Sequence, residues 1–102
     1  MVPLTTQLLY NIMQNMYHVY ILQSIGRKDK LYIGYTTNMK QRLESHNSGR
    51  STYTARYAPW KIAYVESFRS KSDAQKREKR LKVFDNNWKQ LLKRIKDSLD
   101  ES

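Results

Sequence analysis

The chain has 102 residues, a length that predicts a single domain with one modest hydrophobic core. It carries 19 Lys and Arg against 9 Asp and Glu, and the resulting net charge of +10 favours a polyanionic partner such as nucleic acid. The absence of cysteine excludes disulfides, thiolate metal sites and cysteine nucleophiles, and it is compatible with a reducing, cytoplasmic compartment. Eight tyrosines are interleaved with the basic residues, where phenols can stack on bases or bond to phosphates.

Residues 1–16 form an N-terminal extension for which two interpretations stay open. Apolar residues recur at every fourth position, which favours a short helix that docks one face. The alternative is an unstructured extension, with Met13 or Met16 as the true start. The segment lacks the basic region of a secretory signal, and it lacks the run of about 20 apolar residues that a membrane span requires. We therefore expect no membrane partner, and a single domain over residues 17–99.

Two strands that form a hairpin are predicted first. Residues 17–22 and residues 31–36 both alternate in polarity, and the segment between them carries turn residues. One side of the pair is apolar and belongs on a core. The other side presents Tyr20, Tyr32 and Gly34, and it is too polar for an ordinary core and too aromatic for an ordinary solvent face.

The rest of the chain predicts a helix, a loop, a strand and two helices. A helix capped by Asn38 ends at a basic, aromatic loop over residues 49–59, and residues 60–68 alternate as a third strand. A second helix follows the capping box at Ser70, and a third begins near Asn86. The predicted apolar positions of these two helices are Ala74, Leu81, Phe84, Trp88, Leu91, Leu92, Ile95 and Leu99. This order predicts an α/β (α+β) fold with a three-stranded antiparallel sheet flanked by helices.

Three polar side chains of the predicted helices are spaced so that they can join the tyrosines. Arg42 and His46 lie four residues apart and share one helix stripe. Glu78 lies along the apolar stripe of its own helix, where a carboxylate must be paired, protonated or bound to a cation. Ordinary roles stay open as well: a solvated Arg42, a surface His46, and a Glu78 that pairs with Lys82 at i+4.

The segments His18-Val19-Tyr20 and Tyr32-Ile33-Gly34, followed by Arg42-Leu43-Glu44-Ser45-His46 and later by Arg77-Glu78, resemble the GIY-YIG nuclease superfamily over residues 17–95. The pattern is most similar to the small stand-alone bacterial proteins of this group, which are similar to the N-terminal nuclease domain of the C component of excinuclease ABC. The resemblance implies a GIY-YIG endonuclease-like fold and metal-dependent hydrolysis of phosphodiester bonds, with Mg²⁺ or Mn²⁺ as cofactor. The leading hypothesis is a structure-selective or weakly specific endonuclease of repair or recombination, with DNA favoured over RNA as substrate. A protein partner for targeting is compatible with this hypothesis.

The resemblance implies roles for the two phenols and for the glycine beside them. Tyr20 and Tyr32 would bracket the attacking water and the scissile phosphate. Gly34 would leave room for the backbone to approach. A free phenol has a pKa of about 10 and is a poor base at neutral pH, but positive charge from Arg42 and from a metal is expected to favour the phenolate.

The resemblance also implies roles for the polar residues of the helices. Arg42 would hold the phosphate through its rigid fork of donors, and His46 would relay a proton or position a tyrosine. Glu78 would hold the divalent cation, because one carboxylate with phosphate oxygens and waters suits Mg²⁺. The residues expected to contact nucleic acid are Arg50, Tyr53, Arg56, Tyr57, Arg77 and Arg80.

Three positions depart from the pattern of the family. His18 stands where the family name has Gly, Val19 stands where it has Ile, and Gln90 stands where many members carry an Asn. These departures motivate a second hypothesis, a catalytically weak or inactive module that binds nucleic acid. A third hypothesis is a protein-interaction role within a repair or mobile-element assembly.

Overall fold

The computed structural model describes residues 5–99, in which three antiparallel strands carry helices on both faces. The strands are β1 (Tyr17–Ser24), β2 (Leu31–Thr36) and β3 (Trp60–Phe68), and their order in the sheet is β2-β1-β3. The helices are α1 (Thr6–Gln14), α2 (Met39–Asn47), α3 (Thr52–Ala55), α4 (Lys71–Leu81), α5 (Asn86–Arg94) and α6 (Lys96–Leu99). The predicted fold class, a three-stranded antiparallel sheet flanked by helices, is confirmed.

The central strand β1 sends alternate side chains into two separate cores. On one face Val19 and Ile21 pack with Ile33 of β2, and helices α4 and α5 cover them with Leu81 and Leu91. Ile21 is fully buried, and burial of a side chain of this size stabilises the fold by roughly 1.5–3 kcal/mol. This is the apolar side that the alternation predicts.

The second face of the sheet is also a core, which the sequence does not predict. Tyr20, Leu22 and Trp60 are buried there, and Met39 and Leu43 of α2 pack against them. Tyr20 is only 1% exposed, so its phenol belongs to a closed layer and not to an open polar surface. The polar atoms of this layer must therefore find partners inside the protein.

Side-chain caps fix where the site-bearing helices begin. Asn38 Oδ1 accepts a hydrogen bond from the Gln41 amide at 3.1 Å, which starts α2. Ser70 Oγ accepts one from the Asp73 amide at 3.2 Å, which starts α4. Both caps are those that the sequence predicts, and each contributes roughly 1 kcal/mol to stability.

Three local predictions are wrong. The segment over residues 49–59 is not a plain loop, because it contains the short helix α3. The last helix is interrupted at Ile95, which separates α5 from α6. Phe84 does not extend the apolar stripe of α4, because that helix ends at Leu81 and the Phe84 ring is 55% exposed.

The described part of the N-terminal extension is helical. Every residue of α1 is exposed, and Thr5 Oγ1 caps its start by accepting from the Leu8 amide at 3.1 Å. Residues 1–4 of the predicted extension lie outside the described residues. Within residues 5–99, each helix is too short or too polar to cross a lipid bilayer.

Candidate active site

The Tyr20 side chain crosses directly over Gly34 of the neighbouring strand. The two residues are partners in the β1–β2 register, and both are buried. A Cβ atom built on Gly34 would lie against Oη and Cζ of Tyr20, closer than real Cβ atoms approach other atoms. The absence of a side chain at Gly34 is therefore what allows the phenol to lie across β2.

A hydrogen-bonded chain continues from this phenol into the protein. Tyr20 Oη lies 3.0 Å from His46 Nε2, and His46 Nδ1 lies 2.9 Å from Thr54 Oγ1. Thr54 Oγ1 donates to the Ser51 carbonyl at 3.4 Å, which leaves the hydroxyl free to accept from His46 Nδ1–H. His46 Nε2 then carries the lone pair, and the Tyr20 hydroxyl donates to it.

Tyr32 lies beside this chain in a cluster of aromatic rings. Its ring centroid is 4.7 Å from that of His46 and 6.3 Å from that of Tyr20. Trp60 meets the Tyr32 ring edge-on at 6.4 Å, and the Tyr53 ring lies 6.2 Å from it. The two tyrosines predicted to act together are thus neighbours, and His46 contacts both of them.

Burial governs the protonation of this cluster. Burial, followed by the neighbouring Tyr32, raises the pKa of Tyr20; Arg42 lowers it in part, and Glu78 raises it. Burial and the charge of Arg42 hold the pKa of His46 below its ordinary value. Both groups are therefore neutral at pH 7. Arg42 lowers the pKa of Tyr20, which is the expected direction, but in the protein alone the loss of hydration raises that pKa by more.

Arg42 borders a polar cavity of about 370 Å³ between the end of β2 and the start of α2. The lining residues are Tyr35, Thr36, Thr37, Asn38, Gln41, Arg42, Ser45 and Arg50. Arg42 and Arg50 both line this cavity, together with Asn38 at the N-terminus of α2. Guanidinium groups and helix N-termini both bind phosphate oxygens, so the cavity suits a phosphodiester anion.

Glu78 lies on α4 and is not among the residues that line the Arg42 cavity. Its charge adds to the effects of burial and of neighbouring tyrosines that raise the pKa of Tyr20 and Tyr35, and this electrostatic coupling relates it to the phenols. Glu78 Oε2 lies 3.3 Å from Lys82 Nζ, and the two side chains are 19% and 47% exposed. The i+4 pair that the sequence left open is therefore present, and the partial exposure of Lys82 leaves it weak.

The donor set fits a divalent cation that keeps most of its water. Within residues 5–99, no three His, Asp or Glu side chains are grouped to hold a metal ion together. A single carboxylate from Glu78, completed by substrate oxygens and waters, is a ligand set that Mg²⁺ accepts, whereas Zn²⁺ prefers three or four nitrogen or sulfur ligands. The residues present therefore fit a hydrated Mg²⁺ or Mn²⁺ ion.

The residues predicted to contact nucleic acid divide into two groups. Tyr53 and Tyr57 contact each other with ring centroids 6.1 Å apart, and Arg56 and Lys30 lie over the Tyr57 ring at 5.6 and 5.3 Å. Together with Arg50 in the cavity, they form a basic and aromatic surface beside Tyr32.

Arg77 and Arg80 are engaged elsewhere. Arg77 makes two hydrogen bonds from Nε at 3.0 Å and one from Nη2 at 2.8 Å to the Glu66 carboxylate of β3. The Arg80 guanidinium lies 2.8 and 2.9 Å from the side-chain oxygen of Asn87 when that amide is turned to accept. The Arg77 guanidinium is therefore occupied by an anchoring contact within the protein, and its contact with nucleic acid stays a prediction.

Thr54 is a site residue that the sequence did not indicate. It is fully buried, it holds His46, and its carbonyl accepts from Trp60 Nε1 at 2.7 Å. Asn47 fixes the same region by exchanging two hydrogen bonds with the Trp60 backbone, at 2.6 and 3.1 Å. A single threonine in a polar loop gives no signal of this role, because nothing in the local pattern shows that it will be buried.

A family model described as the GIY-YIG catalytic domain matches residues 16–94, and the chain therefore belongs to the GIY-YIG nuclease family. It is 39% identical over 82 residues to the UPF0213 protein SH2523 of Staphylococcus haemolyticus, covering 79% of this chain and 95% of that protein. It is 36% identical over 88 residues to the UPF0213 protein CPE1444 of Clostridium perfringens, covering 85% and 92%. It is also similar to the solution NMR structure of the UPF0213 protein BH0048 of Bacillus halodurans, with a TM-score of 0.48, 30% identity and coverage of 79% and 85%.

Proposed function

We propose that this protein is a divalent-metal-dependent endonuclease that hydrolyses phosphodiester bonds in DNA. The observation that carries the proposal is the buried hydrogen-bonded chain from Tyr20 through His46 to Thr54, together with a neighbouring cavity bordered by Arg42. A purely structural tyrosine does not need a neutral histidine held in one tautomer behind it. A proton acceptor one helical turn from an arginine that borders a cationic cavity is an arrangement suited to hydrolysis.

The phosphate is held by the cationic side chains of the cavity. Arg42 and Arg50 supply hydrogen-bond donors to its non-bridging oxygens, and they offset the charge that develops as water attacks. A divalent cation at Glu78 would add electrostatic stabilisation of the same oxygens. The charge of Arg42 lowers the pKa of both Tyr20 and His46, and we infer from this coupling that a phosphate bound at Arg42 lies close to the Tyr20–His46 pair.

The proton of the attacking water passes through the Tyr20–His46 pair. As the oxygen of water bonds to phosphorus and the leaving oxygen departs, Tyr20 Oη accepts the water proton and gives its own to His46 Nε2. The pKa of His46, lowered by burial and by Arg42, favours the transfer of this proton onward, either to the leaving oxygen, which becomes a hydroxyl, or to solvent, from which the leaving oxygen then takes a proton. Tyr20 therefore remains a neutral phenol before and after each turnover.

Nucleic acid is bound through the basic and aromatic surface beside the cavity. Arg50, Arg56 and Lys30 supply charge, while Tyr53 and Tyr57 supply rings for stacking. A net charge of +10 supports DNA or RNA binding alike, and DNA is the substrate we propose. Structure-selective cutting in repair or recombination, a targeting partner and a cytoplasmic location belong to the same proposal.

The test is nicking of branched, single-stranded and duplex DNA in the presence of Mg²⁺ or Mn²⁺. We expect Glu78→Gln and Tyr20→Phe to lower the rate by roughly 10²- to 10⁴-fold, the range typical of groups that act in acid–base catalysis or hold a catalytic ion. Glu44→Gln is the matched control, because Glu44 is an exposed carboxylate on α2. Equal trace activity in wild type and Glu78→Gln would refute the proposal.

The second candidate function is a module that binds nucleic acid without cutting it. The ion pair between Glu78 and Lys82 favours it, because an amine that neutralises the carboxylate competes with a cation there. His18 also replaces the glycine of the motif and is buried against Ser67, with Nδ1 2.7 Å from the hydroxyl. Binding that weakens with salt, without cleavage and without any effect of Glu78→Gln, would support this alternative.

A further inference from the structure

A cavity along the outer edge of β2 is separate from the cavity that Arg42 borders. It measures about 330 Å³. Its lining residues are Leu31, Tyr32, Ile33, Tyr53, Lys82 and Phe84. Three consecutive residues of β2 line it, and in the described sheet β2 pairs only with β1, so the cavity lies on the free side of this strand. Its volume is at the lower end of ligand pockets, about 300–1,000 Å³, which suits one small planar group and excludes a duplex.

Two solvent-facing aromatic rings border this cavity from separate elements. Tyr53 of α3 is 56% exposed and Phe84 after α4 is 55% exposed. Each is braced by another ring, since Tyr57 contacts Tyr53 at 6.1 Å and Trp88 meets Phe84 edge-on at 5.2 Å. Braced rings lose little conformational entropy when a ligand stacks on them, so the cavity is preorganised for a flat aromatic ligand.

The backbone of Phe84 strengthens this interpretation. Its φ angle is 57°, in the left-handed region that favours glycine, and it lies two residues after Lys82, the C-cap of α4. A large exposed aromatic residue in a strained conformation is neither the most stable nor the most soluble choice at that position. Such outliers are found at ligand-binding sites, where the strained residue holds a contact group in place.

We propose that this cavity binds one unpaired nucleobase of the DNA strand that is cut, stacked against Tyr53 or Phe84. The identity of the strand rests on the proposed nuclease function, while the base-binding property rests on the cavity alone. A base inside a duplex has both faces covered by its neighbours, so only an unpaired or extruded base reaches an aromatic pocket. The substrate class is therefore single-stranded DNA or a junction with an unpaired nucleotide next to the cut.

Two residues connect the cavity to the candidate active site. Tyr32 lines the cavity and also lies 4.7 Å from the His46 ring, so a base bound here belongs to a nucleotide close to the scissile phosphate. Lys82 lines the same cavity and is the residue paired with Glu78, which brings positive charge to the backbone of that nucleotide. The cavity is thus placed to select the strand that enters the site.

The test uses an oligonucleotide that carries the fluorescent base 2-aminopurine, with a chelator present so that binding is measured without cutting. We expect wild type to bind the single strand, and a duplex with a bulged 2-aminopurine, more tightly than the fully paired duplex. Tyr53→Leu and Phe84→Leu keep an apolar side chain but remove the ring, and we expect each to weaken binding of the single strand by about 5- to 100-fold. Phe84→Trp should retain wild-type affinity.

Val83→Ala is the matched control, because Val83 is 62% exposed, adjacent to Phe84 and not part of the cavity lining. Thermal melts check that every variant is folded. Wild-type affinity in both leucine variants, or equal affinity for single strand and duplex, would overturn the assignment. A wild type that never nicks DNA but loses probe binding in the leucine variants would refute the proposed function and support the cavity. Nicking that depends on Glu78, with probe binding unchanged in both leucine variants, would support the proposed function and refute the base-binding cavity.

Discussion

Single residues decide whether the two phenols meet, and Gly34 is the most sensitive of them. Tyr20 lies against its Cα, and the phenol is fixed at its far end by the hydrogen bond to His46. The ring therefore has no direction in which to move without breaking either that bond or the packing around Leu22 and Trp60. A methyl group at Gly34 would have to displace a buried, anchored ring.

We predict that Gly34→Ala destabilises the fold by about 1–3 kcal/mol and abolishes nicking, because overpacking a buried layer shifts both Tyr20 and the strand that carries Tyr32. The measurement is a thermal melt together with the nicking assay. Gly26→Ala is the control, since a Cβ at Gly26 has no neighbour within 4 Å. A Gly34→Ala protein with wild-type melting temperature and activity would show that the phenol can move freely.

A second prediction at this scale concerns the neutral state of His46. Because burial and Arg42 hold its pKa below the ordinary histidine value of about 6.5, the unfolded chain takes up a proton under mildly acidic conditions that the folded protein does not. Its contribution to stability is complete above that ordinary value and is lost as the pH falls toward the folded pKa. We expect the melting temperature of wild type to fall more steeply than that of His46→Gln between about pH 7.5 and pH 5.

The comparison of wild type with His46→Gln isolates the effect of His46. The pKa of His18 is also lowered by burial, but His18 is present in both proteins and its effect cancels. A parallel loss of melting temperature in wild type and His46→Gln would mean that the imidazole is as easily protonated in the folded protein as in the unfolded chain. The tautomer assigned from Thr54 would then have no energetic basis.

At the scale of whole elements, α4 is held to the sheet by a defined ion pair as well as by its apolar stripe. Arg77 binds the Glu66 carboxylate of β3 with three hydrogen bonds of 2.8–3.0 Å, and both side chains are mostly buried, at 26% and 19% exposed. This contact fixes the rotation of α4 about its axis. The same rotation determines where Glu78, one residue further along, is presented.

We predict that Arg77→Ala lowers stability by about 2–4 kcal/mol, because it leaves a partly buried Glu66 without its partner, and that it leaves DNA affinity nearly unchanged. The melting temperature and the affinity, measured well below the melting transition, check the two parts separately. Arg50→Ala is the contrasting variant, with the stability retained and the affinity reduced. A large loss of DNA affinity in a stable Arg77→Ala protein would show instead that Arg77 contacts nucleic acid.

The strands and helix starts could be predicted from the sequence, whereas α3 and the end of α4 could not. The strands and the caps at Asn38 and Ser70 were predicted because alternation and capping are local physics that neighbouring residues determine. The helix α3 was missed because four residues carry too little periodicity, and its Thr54 is buried only through contacts with residues distant in the chain. The prediction that Phe84 lies on the apolar stripe of α4 was wrong, because the helix ends at Leu81 and that end depends on the turn that follows it.

At the scale of the whole molecule, charge is unevenly placed along the chain. The first 25 residues carry no charged side chain, and the net charge of +10 belongs to the remainder. The helix α1 shares this lack of charge, and it exposes the apolar side chains of Leu8, Leu9 and Ile12, each 44% exposed. Electrostatic attraction of a polyanion therefore originates from the domain that carries the site and not from the extension.

The last prediction follows from that distribution of charge. Binding of single-stranded DNA releases counterions, so the logarithm of affinity should fall linearly with the logarithm of salt concentration, with a slope of about −0.7 for each phosphate neutralised. We expect Arg50→Ala and Arg56→Ala each to reduce the magnitude of this slope by roughly 0.7 to 1, because each removes one cation from the basic and aromatic surface beside Tyr32. Arg27→Ala should leave the slope unchanged, because Arg27 is already paired with Asp29 at 3.1 Å. Equal slopes in all four proteins would place the bound strand on another face of the domain, since the phosphates would then be neutralised by cations that these variants leave intact.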